Sequence, residues 1–154
     1  MLTALSIRNV VLIERLNLTF NAGLCVLTGE TGAGKSILLD ALGLALGARA
    51  ETNLLRQGSE NASVSASFDI PAQHPANRMI EAHGIEAEDI LVLRRALTNA
   101  GRSRAFINDQ STSVILTHHT RLAHVRRHLG FGLGLGFGPG HGLGLGSCLV
   151  WSLG

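Results

Sequence analysis

Two cysteines in 154 residues are too few for a disulfide framework or a thiolate metal cluster. Cys25 falls inside an apolar run and reads as a small core residue, while Cys148 lies in a glycine-rich tail. Charge is also uninformative: the net charge is +2 and the pI about 8.9, too mild to define a nucleic-acid surface, and several basic residues lie in the last third. No apolar run is long enough to span a bilayer. The opening Met1-Leu2-Thr3-Ala4-Leu5-Ser6-Ile7-Arg8 has no basic leader, apolar core or small-residue cleavage site, so a cytoplasmic location is expected.

Against this background one segment stands out. Gly29-Glu30-Thr31-Gly32-Ala33-Gly34-Lys35-Ser36 fits the phosphate-cradling pattern GxxxxGK[ST] at every fixed position. Gly29, Gly32 and Gly34 let the backbone turn without a Cβ, so that successive N–H groups point at β- and γ-phosphate oxygens. Lys35 adds a mobile positive charge, and the Ser36 hydroxyl suits Mg²⁺. The expected ligands are therefore ATP and Mg²⁺.

The flanks supply the context that this chemistry needs. Leu24-Cys25-Val26-Leu27-Thr28 reads as a buried strand launched by Asn21-Ala22-Gly23. Ser36 to Leu46 places Ile37, Leu38, Ala41, Leu42, Ala45 and Leu46 at helical spacing and stops at Gly47, a C-terminal cap. Such a helix would aim its N-terminal N–H groups and dipole at the phosphates.

Elsewhere the period of two dominates. Leu2–Arg8 and Glu14–Phe20 predict a hairpin broken at Asn9, and Ala62–Ile70 predicts a strand with one wet face of serines. Arg49–Asn61 reads as a loop. Pro71 and Pro75 bracket a turn, Asn77–His83 predicts a short helix ending at Gly84, and Ile90–Thr98 with Ser103–Ile107 predicts a second hairpin closed by Asn108-Asp109.

The opening Leu5-Ser6-Ile7-Arg8-Asn9, the block from Thr28 to Ala50, Leu55-Arg56-Gln57-Gly58 and the hairpin from Arg94 to Asp109 together resemble the bacterial RecN family, DNA-repair ATPases related to the SMC proteins. The likeness runs from Met1 to about Ser113. Val10 departs from it, where the family has an aromatic residue. The resemblance implies an α/β fold: a P-loop N-terminal lobe of an ABC/SMC-type ATPase head, with a mixed sheet around the phosphate-loop helix. It implies a C-terminal lobe and a second head as partners, ATP sandwiched between heads, DNA bound through the assembled heads at double-strand breaks, and association with the nucleoid. The acidic Walker B pair would lie in the other lobe, and neither it nor the family's Gln-bearing loop has a counterpart in these residues. On that reading the chain is truncated, binds ATP and does not hydrolyse it alone.

After Ser113 the character of the chain changes, and from Gly130 to Gly146 every even position is glycine. Alternating glycine carries the largest backbone entropy cost and offers no side chain to bury. Residues 1–113 are therefore expected to form the lobe, and residues 114–154 a disordered tail with no domain, arising from a frameshift or a wrong gene model rather than from a glycine-rich module.

Other residues carry weaker expectations. His118, His119, His124 and His128 lack a carboxylate or cysteine partner pattern, and a solvated basic stretch is expected rather than a metal site. Arg102 and Arg104 would face DNA phosphates or only solvent, and Arg49 and Arg56 would approach nucleotide or DNA, or lie in a solvated loop. Asp40 falls on the polar side of its helix. Two other readings stay open: a small P-loop kinase, in which the Arg94–Asp109 hairpin would have no role, and a remnant that binds neither nucleotide nor DNA.

Overall fold

The computed structural model describes residues 1–27, 32–117 and 149–153, with side chains over 1–22, 34–51 and 53–117. The hairpin of β1 (Leu2–Val10) and β2 (Ile13–Thr19) opens the chain. The break expected at Asn9 is a left-handed residue, φ 53°, within β1 rather than its end, and its Nδ2 donates to the Asn61 carbonyl at 3.0 Å. Beyond it come β3 (Gly23–Leu27), α1 (Gly32–Ala45), a 3-10 turn at Thr52–Leu54, β4 (Asn61–Asp69), α2 (Pro75–Glu81), β5 (Ile90–Thr98), β6 (Ser103–Ile107) and β7 (Gln110–Thr112). Residues 114–117 are helical, and Leu116 N–H donates to Ser113 Oγ at 3.2 Å.

Six of the strands form one sheet in the order β2-β1-β4-β5-β6-β7, with every neighbouring pair antiparallel. Register decides what each face carries, because successive side chains alternate across a strand. One face holds the row Leu18, Leu5, Ala66, Leu93, Ile107 and the row Leu16, Ile7, Val64, Arg95, Ala105. Against it packs α1, mainly over β4, burying Ile37, Ala41, Leu42, Leu44, Ala45 and Leu46. Each fully buried large side chain there, such as Phe68 or Ile7, contributes about 2–3 kcal/mol. The other face is polar: Asn17, Ser6, Ser65, Arg94, Phe106 and Ser111 form one row, and Arg15, Arg8, Ser63, Ala96 and Arg104 the next.

Local chemistry sets the ends of both helices. Gly47 has φ 87°; its N–H reaches the Leu44 carbonyl at 3.1 Å and the Ala48 N–H reaches the Gly43 carbonyl at 2.9 Å, a Schellman cap on α1. α2 starts two residues earlier than its periodicity suggests because Pro75 suits the first helical position and His74 Nδ1 accepts the Ala76 N–H at 3.2 Å. Gly84, φ 74°, follows its end as expected.

Four elements lie outside the sequence expectations, the first being the helical residues 114–117, where a disordered tail was expected. The 3-10 turn falls in the expected loop, and β7 extends the second hairpin. The last, β8 (Leu149–Leu153), pairs antiparallel with β3 in a separate two-stranded sheet, from Gly23↔Leu153 to Leu27↔Leu149. The end of the tail is thus a strand where no element was expected, while the glycine-alternating segment before it lies outside the described residues.

Candidate nucleotide-binding site

β3 ends at Leu27 and α1 begins at Gly32, so strand, loop and helix follow in the order that the phosphate pattern demands. Gly29, Glu30 and Thr31 lie outside the described residues; Gly32, Ala33, Gly34, Lys35 and Ser36 form the first turn of α1. That turn carries no acidic residue, leaving its N–H groups and positive dipole end uncontested by a carboxylate of the same helix. A Cβ built on Gly34 would meet nothing within 4 Å, so glycine is not required there by local crowding among the described atoms. Ser36 is exposed, whereas Lys35 is only 6 % exposed. The lysine is therefore held within the fold rather than swinging freely as expected. No group of three or more metal-ligating side chains occurs among the described residues.

Arg49 is not brought to this loop. It lies beyond the C-terminal end of α1, whose 14 residues place it about 20 Å along the helix axis from Gly32. There it lines a groove of about 370 Å³ with Asp40, Glu51 and Asn53. Asp40 is exposed, as its helical position predicts. Arg56 is tied to the first hairpin: its side chain lies 3.4 Å from Glu14, and its N–H donates to the Asn9 carbonyl at 2.9 Å. Both side chains are open enough to solvent that this pair contributes little.

The second hairpin does gather basic groups. Arg102 and Arg104 are exposed and share a groove of about 700 Å³ with Arg94, Phe106, Thr98, Asn99, Asn61 and Glu60. Arg94 stacks on Phe106 and pairs with Asp109. The four histidines at 118, 119, 124 and 128 lie outside the described residues. Arg95, unremarked in the sequence, is buried on the opposite face of β5. A signal was there: in a strand, adjacent arginines cannot share a face, so one of Arg94 and Arg95 had to face the core.

A strand and a capped helix on either side of a GxxxxGK[ST] segment, packed beside an antiparallel sheet, are the arrangement of a P-loop-type domain. A family model described as AAA domain matches residues 4–125, and the chain belongs to that family. Within it the chain is similar to RecN: it is 49 % identical over 109 residues to the DNA repair protein RecN of Halalkalibacterium halodurans, which covers 70 % of the chain and 19 % of that protein. The RecN of Vibrio cholerae is 46 % identical over 108 residues, covering 70 % and 20 %. The chain spans about a fifth of the length of these curated relatives. Among solved structures, one from work on ATP-driven dimerization and DNA-stimulated activation of SMC ATPases superposes with a TM-score of 0.66 at 21 % identity, over 79 % of this chain and 78 % of that one. The recombination mediator RecF with ATP gives 0.57 at 15 % identity, over 73 % and 28 %. The α/β fold expected of this chain is therefore the one observed and is shared with these structures, with every described strand pairing antiparallel. The family match also runs twelve residues past Ser113, the expected end of the lobe.

Proposed function

We propose that this chain is the ATP-binding lobe of a RecN-like protein acting in recombinational repair of DNA double-strand breaks. The observation that carries this reading is the placement of Lys35, buried in the first turn of α1, directly after a loop whose sequence GETGAGKS fits phosphate binding at each fixed position. In this reading the backbone from Gly29 to Gly34 cradles the β- and γ-phosphates, Lys35 neutralises their charge and Ser36 Oγ ligates Mg²⁺.

The lobe comprises residues 1–113 together with the helical residues 114–117, whose Leu116 joins the core, and the rest of the chain adds no separate domain. Hydrolysis needs the acidic pair that polarises the attacking water, and no Asp-Glu pair follows four apolar residues anywhere after Ser36. ATP turnover accordingly belongs to the lobe joined to a C-terminal lobe and a second head. DNA is met on the polar sheet face, where Arg8, Arg15, Arg94 and Arg104 flank the small Ser63, Ser65 and Ala96, and Arg102 shares the groove of Arg94 and Arg104. The working location is the cytoplasm, on the nucleoid when DNA is bound.

The test is calorimetric titration of ATP with Mg²⁺ into the purified chain and into Lys35→Ala. The expected outcome is binding by the first and a loss of about tenfold or more in the second, one charge-assisted phosphate contact being removed. Equal binding would remove the basis of the assignment. Turnover by the chain alone, abolished in Lys35→Ala, would contradict the need for a second lobe.

A further inference from the structure

Arg95 is 3 % exposed and lies on the face of the sheet that α1 covers. Its neighbours along β5 on that face are Leu93 and Leu97, and across the register Val64 and Ala105, none of which can accept a side-chain hydrogen bond. One donor is satisfied: Nη2 meets Ser103 Oγ at 2.8 Å. Nε and Nη1 are buried with no acceptor among the described residues. Desolvation lowers the guanidinium's affinity for its proton, yet arginine stays charged at any working pH. A buried charge with two empty donors is among the costlier features a core can hold, and a fold gains nothing from it that a leucine would not supply.

The described chain offers no anion to answer it. The carboxylates of Glu14, Asp40, Glu51, Glu60, Asp69, Glu81, Glu86, Glu88, Asp89 and Asp109 all belong to exposed residues. Residues 118–154 contain no aspartate or glutamate at all. The only other acidic residue is Glu30, in the phosphate loop. Meanwhile about four-fifths of the relatives' length is absent from this chain. Half-buried Ser103 places the guanidinium near the β6 margin of the core, where an added element could reach it.

We propose that Arg95 is the receptor for a carboxylate contributed by the part of the relatives' length that this chain does not hold, and so anchors the docking of that part onto the sheet. A carboxylate matches the arginine fork, accepting from the Nη2 hydrogen that Ser103 leaves together with either Nη1 or Nε, which point to opposite sides of the guanidinium. This inference rests on the reading of the chain as one lobe of a larger head, but not on its binding of ATP.

The experiment joins the purified chain to the separately produced remainder of the Halalkalibacterium halodurans RecN and measures association by calorimetry. Urea unfolding of each chain variant alone runs beside it. Arg95→Met is expected to unfold at the same or a higher urea concentration than wild type, because it removes an unanswered buried charge, and yet to associate about tenfold or more weakly. Arg95→Lys, a point charge without the fork, is expected to fall between them. This opposition of stability and association is what a purely structural arginine would not give. An Arg95→Met chain that is less stable with unchanged association would overturn the proposal, as would failure of wild type to associate. So would failure of both Arg95→Met and Arg95→Gln to fold. If Glu30→Gln shifts the unfolding of wild type but not of Arg95→Met, the acceptor is internal and the proposal fails. ATP binding, read separately through Lys35→Ala, reports on the phosphate loop whatever the association shows.

Discussion

The guanidinium carbon of Arg94 stands 4.1 Å from the centre of the Phe106 ring, its partner across the β5–β6 register, while Arg94 Nη2 lies 3.0 Å from Asp109 Oδ1. Two contacts of unequal worth thus hold one side chain. Asp109 is largely exposed, so water screens the pair and the ring supplies most of the orientation.

Phe106→Leu is therefore expected to destabilise the chain by about 1 kcal/mol, combining the lost cation–π contact with some lost area. Asp109→Asn is expected to stay within about 0.5 kcal/mol of wild type. Urea unfolding of the two single variants and the double variant checks this, and a larger cost at Asp109 than at Phe106 would reverse the ranking.

The cap of α1 gives a second prediction. Gly47 sits at φ 87°, where an L-residue brings Cβ against its own backbone. Gly47→Ala is expected to cost about 1–2 kcal/mol, and Gly47→Asn less, since asparagine tolerates that region. The midpoint of urea unfolding should fall in that order. Equal midpoints for alanine and asparagine would mean that the cap is not held by the left-handed backbone.

These two sites show what the sequence could and could not reveal. Gly47 was legible because a helix end is local: an apolar period of 3.6 stops and a glycine follows. The alternation from Ala62 to Phe68 was legible for the same reason, and its serines do face outward. β7 was not, since Gln110–Thr112 is too short to show a period, and its pairing of Ala105 with Thr112 follows from the hairpin before it. β8 was beyond local reasoning altogether, because its partner β3 lies more than a hundred residues away. The strand and helix that flank the GxxxxGK[ST] segment were legible from their apolar runs; the burial of Lys35 was not, because burial comes from what packs around the helix. The role of Arg95 needed register, which is a property of several strands at once.

Ser36 tests the metal half of the nucleotide site. Its hydroxyl is proposed as a Mg²⁺ ligand, so Ser36→Ala is expected to leave ATP affinity in EDTA unchanged and to remove most of the gain that Mg²⁺ gives wild type. Titrations with and without Mg²⁺ separate these outcomes. A variant that loses affinity equally in both conditions would point to a damaged loop rather than a lost ligand.

The basic sheet face gives the last prediction. Non-specific DNA binding is dominated by counterion release, with log K falling by about 0.9 per phosphate contact for each unit of log salt. Arg102 and Arg104 are exposed in one groove with Arg94, whereas Arg49 lies in a separate groove at the end of α1. Replacing both Arg102 and Arg104 by glutamate should therefore weaken binding of a DNA duplex and make the salt dependence shallower by one to two contacts, about 0.9–1.8 in slope. Arg49→Glu changes net charge in the same direction but should leave the slope within error, because it removes no contact. Fluorescence anisotropy from about 50 to 200 mM salt distinguishes the two, a range over which phosphate contacts are strongly weakened. If Arg49→Glu flattened the slope as much as the paired hairpin change, the effect would be one of overall charge, and the hairpin face would lose its claim to the DNA.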